Sequence, residues 1–219
     1  RYVLNGLYLS FKENKLTMVA TDGRRLALAE EEVELPGDSP VELIVPTKAI
    51  QELSRQLGEE GNIEIQITEN QVSFGLEEKQ GTGSLIVSKL VEGAYPNYKQ
   101  VIPAESKYRV TLDKEELFHA LRRAEIMTSE KANSVKLTFS ENNLTFTANS
   151  PEVGECRETM AIKYGGEETS IAFNPEFFID PLKVLEEEEV HFEFTDQLSP
   201  GVVKGNHPFI YVIMPMRTS

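Results

Sequence analysis

The sequence predicts a mixed fold of strands and helices in which one domain pattern occurs twice. Residues 7–22, LYLSFKENKLTMVATD, align without gaps with residues 135–150, VKLTFSENNLTFTANS, and seven of the sixteen positions are identical. At the same offset, LIVPTKAIQEL (43–53) matches IAFNPEFFIDP (171–181), and each reads as a strand that runs into a helix. A repeat this long indicates duplicated domains, because the units of solenoid proteins are only about 20–50 residues long.

The matching segments predict the strands in order along the chain. Residues 7–22 and 135–150 alternate apolar and polar side chains around a central Glu-Asn pair, which predicts two β-hairpins with one buried face. The Asp-Gly pair that follows the first hairpin is a common signal for a two-residue turn. Further strands are predicted at IEIQITE (63–69) and VHFEFTD (190–196), which match after a slip of one residue.

The sequence also predicts three helices. The first, residues 47–57, places its apolar side chains on one face. The second, residues 113–127, begins with an aspartate that is followed three residues later by a glutamate, which is a capping-box pattern. In the third, Asn174 can cap the N-terminus and Pro175 occupies the first helical position. Pro181 is expected to shorten or kink this third helix.

The duplication predicts the domain organisation. The second hairpin is preceded by its own strand and helix, whereas the first hairpin has no such elements before it, so the chain reads as one that starts inside a domain. A proline-bearing linker, YPNYKQVIPAES (95–106), marks the boundary. We therefore expect a domain at 1–103 that lacks its N-terminal strand and helix, and a complete domain at 104–219.

The charge and composition exclude several classes of protein. A net charge of −14, taken alone, argues against binding nucleic acid through tight phosphate contacts. An acidic protein can still carry one basic surface, so the total charge leaves nucleic-acid binding open. The acidic blocks AEEEVELPGD (29–38) and LEEEEV (185–190) are interpreted as solvated loops and helix ends. One cysteine, no apolar run near 18 residues and no secretory signal pattern favour a cytoplasmic protein without a membrane span.

The residues offer no case for an enzyme, a cofactor or a metal site. The sequence has no phosphate-binding glycine loop, zinc-ligand spacing or nucleophile elbow, and its three histidines share no ligand spacing. Asp22 and Asp196 follow threonines at repeat-related positions and could form a carboxylate pair for acid–base chemistry. The simpler interpretation is that these turn aspartates accept hydrogen bonds from nearby backbone amides.

Four stretches together resemble one protein family. RYVLNG (1–6), VATDGRRLALA (19–29), YPNYKQVIP (95–103) and YVIMPMR (211–217) are similar to segments of the bacterial DNA polymerase III beta subunit, the sliding clamp. TSEKANSVKL (128–137) is similar to a further segment, so the resemblance runs along the whole chain. It implies an α+β fold of repeated DNA-clamp domains, with antiparallel sheets outside and helices on the inner face. This chain would hold most of the second domain and all of the third.

The resemblance implies a processivity factor of the replicative polymerase and not an enzyme. Two subunits of the family close head-to-tail into a ring around duplex DNA, so a homodimer is implied for the full-length protein. The implied partners are duplex DNA, the polymerase III catalytic subunit, the clamp loader, other polymerases and mismatch-repair proteins. The proteins among them dock through short linear motifs, and no cofactor or metal is implied.

The resemblance also implies a hydrophobic groove that binds these motifs. In the family, the Thr-Asp-Gly corner of the second domain and the last strand of the third form the groove. By motif match, the groove residues are Leu4, Thr21, Gly23, Arg24, Arg25, Leu26, Pro96, Gln100, Val101, Pro200, Val212, Ile213, Met214, Pro215, Met216 and Arg217. Leucine and methionine side chains form an adaptable apolar pocket, and a few polar groups orient the peptide.

Several positions depart from the family pattern. Gln100 stands where some members have an arginine, and Arg24 where some have a histidine. Pro200 occupies a position where a small polar residue occurs, and Thr218 and Ser219 replace a terminal leucine. These departures concern the rim of the groove and its peptide preference, and not the apolar pocket.

The helices supply the candidates for DNA contact. Helices line the central hole of the ring in the family, and the polar faces of the predicted helices carry basic side chains. The implied DNA-facing residues on these faces are Lys48, Arg55, Arg122 and Arg123. Arg1 and Tyr2 are also implied, because they match a loop that can touch DNA in the family. A clamp must slide, so its phosphate contacts should be weak and independent of DNA sequence.

Two other functions stay open from the residues alone. One is an enzyme that uses Asp22, Asp196 and nearby arginines as a metal or phosphate site, and the other is a purely structural repeat protein without a peptide groove. YVIMPMR can equally be an apolar final strand that completes a sheet. The arginines at 24 and 25 can equally be strand-end residues that pair with nearby acidic side chains.

Overall fold

The structure, a computed structural model, describes residues 2–35, 37, 39–77, 83–128 and 133–217. Among these residues it confirms the mixed α+β fold, with fifteen strands in antiparallel sheets and three α-helices. The chain divides into two compact units, which we call unit 1 (Arg1–Asp22 with Leu28–Asn97) and unit 2 (Gly23–Ala27 with Tyr98–Ser219). No helix among the described residues is long and apolar enough to cross a membrane.

Unit 1 contains the first hairpin and the first α-helix. Its elements are a 3₁₀-helix at Tyr2–Leu4, β1 (Gly6–Lys12), β2 (Lys15–Thr21), most of β3 (Arg25–Glu32), β4 (Val41–Pro46), α1 (Thr47–Gln56), β5 (Ile63–Ile67), β6 (Gln71–Leu76) and β7 (Ser84–Lys89). Strand β1 pairs with β2 on one side and with β4 on the other, and β5, β6 and β7 form a separate three-stranded sheet. Val45, Val72 and Phe74 are almost fully buried in its core.

Unit 2 contains the second hairpin and two α-helices. Its elements after the linker are β8 (Tyr108–Asp113), α2 (Lys114–Ile126), β9 (Val135–Ser140), β10 (Asn143–Ser150), β11 (Gly154–Ala161), β12 (Thr169–Phe173), α3 (Pro175–Val184), β13 (Glu189–Phe194), β14 (Gly201–Lys204) and β15 (Phe209–Ile213). The strands pair in the orders β11-β10-β9-β12 and β15-β14-β13-β8. Phe139, Phe192 and Phe194 stack in its core, with ring centres 4.3 to 5.8 Å apart.

The two hairpins confirm the repeat. Leu9 lies opposite Met18 in the first hairpin, and Leu137 lies opposite Phe146, 128 positions later, in the second. Each turn uses the predicted Glu-Asn pair, and Asn142 takes a positive φ of 54°. Asparagine tolerates this left-handed conformation better than most residues, which explains its place at the second turn. The same local signals therefore produce the same pairing register in both repeats.

The capping predictions are confirmed in unit 2. Asp113 accepts a hydrogen bond from the backbone N–H of Glu116 at 2.8 Å, and Asn174 accepts one from that of Glu176 at 3.0 Å. Such caps stabilise a helix by about 1 kcal/mol each. Pro181 is buried inside α3, which continues for three more residues to Val184.

Two predictions about the connections are wrong in part. The turn after β2 contains three residues, Asp22, Gly23 and Arg24, because β3 begins only at Arg25. Gly23 takes a φ of +86°, a conformation that favours glycine. The acidic block 29–38 is not wholly a solvated loop, since β3 extends to Glu32.

The second acidic block, 185–190, contains a buried carboxylate with hydrogen-bond partners. The side chain of Glu187 is only 9% exposed, and its Oε1 atom accepts hydrogen bonds from the backbone N–H of Asn206 at 2.9 Å and from His207 Nδ1 at 2.8 Å. Burial raises the pKa of this carboxyl, but the hydrogen bonds that it accepts, including one from its own backbone N–H, outweigh burial and lower the pKa to about 2. The interpretation of this block as solvated is therefore wrong at Glu187.

Candidate functional site

The predicted groove residues fall in both units, and most lie in unit 2. Leu4, Thr21 and Pro96 belong to unit 1. The unit 2 members are Gly23, Arg24, Arg25, Leu26, Gln100, Val101, Pro200, Val212, Ile213, Met214, Pro215, Met216 and Arg217. Within unit 2 the structure joins the segment Gly23–Ala27, which we call the corner, to the segment after β15. The backbone N–H of Met214 donates to the carbonyl oxygen of Arg24 at 2.9 Å.

Arg25 holds the corner against helix α3. Its Nη1 atom donates to Asp180 Oδ2 at 2.6 Å and lies 3.3 Å from the hydroxyl oxygen of Tyr211. The guanidinium carbon also lies 4.4 Å from the ring centre of Phe177, a distance at which a cation–π attraction operates. The interpretation that this arginine pairs with a nearby acidic side chain is therefore confirmed.

Asp180 connects this arginine to a second cation on its own helix. Lys183 Nζ donates to Asp180 Oδ1 at 2.9 Å. Partial burial raises the pKa of the Asp180 carboxyl, but the hydrogen bonds from Lys183 and Arg25 outweigh it, so the pKa lies below its ordinary value. Asp180 is therefore a carboxylate at neutral pH and holds both cations.

The apolar members of the predicted groove divide into a buried and an exposed set. Leu26, Val212 and Ile213 are each at most 2% exposed. Met214 and Met216 are 40% and 36% exposed, so part of each side chain is accessible to a partner. Flexible, polarizable methionine side chains adapt to different partners. The exposed methionines beside the buried Leu26, Val212 and Ile213 are therefore suited to binding apolar peptide side chains.

A surface pocket lies at the end of this methionine pair. Met216 donates its backbone N–H to the carbonyl oxygen of Ala172 at 2.7 Å, and the two residues form an isolated bridge at the edge of β12. The pocket beside this bridge has a volume of about 560 Å³ and is lined by Lys136, Ser170, Ala172, Gln197, Leu198, Met216 and Arg217. Sequence reasoning identified only the last two of these residues.

Of the predicted DNA-facing arginines, Arg55, Arg122 and Arg123 lie among the described residues, and each is exposed and paired with a carboxylate. Arg55 donates to Glu52 at 3.1 Å, and Arg122 donates to Glu125 at 2.7 Å. Arg123 donates through two nitrogens to the two carboxylate oxygens of Glu158, at 2.7 Å each. Lys48 and Tyr2 are also exposed, whereas Arg1, Thr218 and Ser219 lie outside the described residues.

The alternative metal or acid–base site gains no support from Asp196. Its Oδ1 atom accepts hydrogen bonds from the backbone N–H groups of Leu198 and Ser199 at 2.8 Å each, and these bonds lower the pKa of the carboxyl. This confirms its interpretation as a turn aspartate. In the part of the chain that the structure describes, no cluster of three or more His, Cys, Asp or Glu side chains could hold a metal ion.

Comparisons with known proteins cover the whole chain. Residues 1–97 match the family model of the DNA polymerase III beta subunit, central domain, and residues 99–217 match that of its C-terminal domain. The beta sliding clamp of Chlamydia pneumoniae is 37% identical over 217 residues, which are 99% of this chain and 58% of that protein. This chain therefore spans somewhat over half the length of the relatives that it matches. The domain boundary expected between residues 103 and 104 stays a prediction.

Solved structures give the same result. The crystal structure of the DNA polymerase III subunit beta from Pseudomonas aeruginosa superimposes with a TM-score of 0.93 at 34% identity, over 100% of this chain and 59% of that one. The sliding clamp from Bacillus subtilis superimposes with a TM-score of 0.90 at 32% identity, over 100% of this chain and 58% of that one. The resemblance drawn from the sequence motifs is confirmed, and the chain belongs to the bacterial DNA polymerase III beta subunit family, the sliding clamps.

Proposed function

We propose that this chain serves as part of a non-catalytic processivity factor that docks other replication and repair proteins through short linear peptides. Family membership supports the role, and the contact between Met214 and the carbonyl of Arg24 is the observation that carries the docking site. The full-length protein would be a homodimeric ring in the cytoplasm. Its partners would be duplex DNA, the polymerase III catalytic subunit, the clamp loader, other polymerases and mismatch-repair proteins.

The geometry of unit 2 supports a peptide site for a physical reason. Arg25 is fixed by Asp180 and Tyr211, so the corner is ordered before a peptide arrives. An ordered site loses less conformational entropy on binding than a flexible one. The exposed methionines at 214 and 216 then provide the adaptable apolar contact for the peptide's leucine and phenylalanine side chains.

A peptide titration tests the docking site. We would titrate the chain with a fluorescent peptide of sequence glutamine-leucine-serine-leucine-phenylalanine and follow its anisotropy. Micromolar binding is expected, with a loss of at least ten-fold in Met214→Glu and in Leu26→Asp. Since Leu26 is buried, circular dichroism must show that the second variant folds, whereas Met214 is exposed enough to avoid this problem. Val153→Ala, at an exposed apolar residue of a turn, is the matched control and should bind as the parent chain does.

The arginine pairs support weak contact with DNA. A phosphate group that approaches Arg123 must compete with a bidentate carboxylate, so little net attraction remains. We expect this chain alone to bind duplex DNA barely at all at physiological salt. Submicromolar affinity in an electrophoretic or anisotropy assay would contradict this proposal, as would binding that depends on DNA sequence.

A further inference from the structure

The pocket at the edge of β12 has a charge that the rest of the chain does not share. The chain carries 36 acidic and 22 basic side chains, yet the charged residues that line the pocket, Lys136 and Arg217, are both basic. Both are exposed, and neither has a carboxylate partner among the described residues. The pocket is therefore a local positive site on a strongly acidic protein, and it attracts anionic groups.

The floor of the pocket is suited to a side chain with a short apolar stem. Lys136 lies opposite Ala172 across β9 and β12, and Ala172 lies opposite Met216 at the isolated bridge, so the three residues form one cross-strand row. The small alanine side chain leaves the space between the lysine and the methionine open. Gln197 and Ser170 add polar groups at the wall that can donate hydrogen bonds to a carboxylate.

The pocket continues the proposed peptide site. Met216 and Arg217 belong to both, and three residues of extended chain from Met214 to Arg217 span about 10 Å. In this arrangement the C-terminal apolar side chains of the peptide occupy the corner beside Leu26, and the residues just before its glutamine lie at the pocket. Those flanking residues are outside the apolar core motif, and so they are free to provide charge.

We propose that the pocket lined by Lys136 and Arg217 binds an acidic side chain, aspartate or glutamate, in the segment that precedes the apolar core of a docked peptide. This inference rests on the proposed peptide-docking function and adds a determinant of partner preference to it. Peptides with an acidic flank would bind in preference to those with a neutral or basic flank.

Three fluorescent peptides test the inference. They share the core glutamine-leucine-serine-leucine-phenylalanine and carry two glutamates, two glutamines or two lysines before it. Because exposed ion pairs are individually weak, we expect the glutamate flank to increase affinity about three- to ten-fold over the glutamine flank. The gain should disappear at 0.5 M salt, where exposed charges are screened.

Variants of the chain assign the gain to the pocket. Lys136→Glu should abolish the gain from the glutamate flank and favour the lysine flank instead. Arg217→Glu should also abolish the gain. Lys163→Glu, which makes the same charge change at an exposed lysine outside the pocket, is the matched control and should retain it.

The outcomes separate this inference from the function on which it rests. The inference is overturned if the glutamine-flanked peptide binds but the glutamate flank does not increase affinity, or if the increase in affinity survives Lys136→Glu. In either case the pocket does not bind the flanking residues, and the docking function stands. If no peptide binds the folded chain, both are overturned. A gain that is lost in Lys136→Glu and kept in Lys163→Glu supports the inference.

Discussion

Replacing Arg25 by alanine should destabilise unit 2 by more than the loss of an ordinary surface arginine. Its guanidinium donates to Asp180 at 2.6 Å, approaches the hydroxyl of Tyr211 at 3.3 Å and lies over the ring of Phe177. The Arg25 and Asp180 side chains are 27% and 33% exposed, so water screens this pair only in part. The interaction therefore lies between a surface ion pair and a buried one.

The expected loss can be estimated from these contacts. Hydrogen bonds to charged groups contribute about 1.5–3 kcal/mol, and partial exposure favours the lower end of that range. Lys183 still pairs with Asp180 in the variant, which limits the cost of leaving the carboxylate behind. We expect Arg25→Ala to lower the free energy of unfolding by about 2 kcal/mol, measured by urea denaturation followed by circular dichroism.

A matched control and a double-mutant cycle make this prediction refutable. Arg55 also pairs with a carboxylate, but its side chain is 74% exposed, so Arg55→Ala should cost less than about 0.5 kcal/mol. The cycle of Arg25→Ala with Asp180→Ala should give a coupling energy of about 1 kcal/mol. A loss in Arg25→Ala no larger than that in Arg55→Ala, or a coupling energy near zero, would refute the view that this pair anchors the corner.

Three further predictions concern stability and are measured by the same denaturation assay. The carboxylate of Glu187 stabilises the folded chain fully at pH values above 4.5, its unfolded pKa, and this stabilisation is lost as the pH falls towards 2, its folded pKa. Glu187→Gln should therefore lower the free energy of unfolding by about 2–3 kcal/mol at pH 7 and by little at pH 2. Asn174→Ala should cost about 1 kcal/mol, and the aspartate variant should retain most of the cap. Gly201→Ala places a methyl group 2.6 Å from the Phe192 ring and should cost about 1–3 kcal/mol, whereas Gly165→Ala, with open space around it, should not.

Local signals explain which parts of the fold were predictable from the sequence. The Glu-Asn turns, the alternating strands and the caps at Asp113 and Asn174 each depend on a few consecutive residues, and all of them appear where expected. The predicted length of the turn after β2 was wrong, because an Asp-Gly pair is compatible with both two- and three-residue connections. The start of β3 at Arg25 cannot be deduced from the pair alone.

Long-range contacts explain what the sequence left out of the candidate site. Asp180 and Tyr211 lie 155 and 186 residues from Arg25 along the chain, and no spacing pattern connects them. Lys136 enters the pocket only because β9 pairs with β12 in a register that places it opposite Ala172. Motif resemblance could identify Met216 and Arg217, but it gave no indication of the cation across the sheet.

The arginine pairs on the helices reconcile an acidic chain with the proposed role around DNA. Arg122 and Arg123 each hold a carboxylate at 2.7 Å, so a passing phosphate would exchange one anionic partner for another and gain little free energy. Such contacts would be brief and independent of DNA sequence, which would permit sliding, whereas unpaired arginines would hold the phosphates more firmly. Retention on DNA would then depend on the closed ring and not on affinity. The cationic pocket at Lys136 and Arg217, where no described carboxylate neutralises the charge, is by the same reasoning suited to a partner that must stay bound.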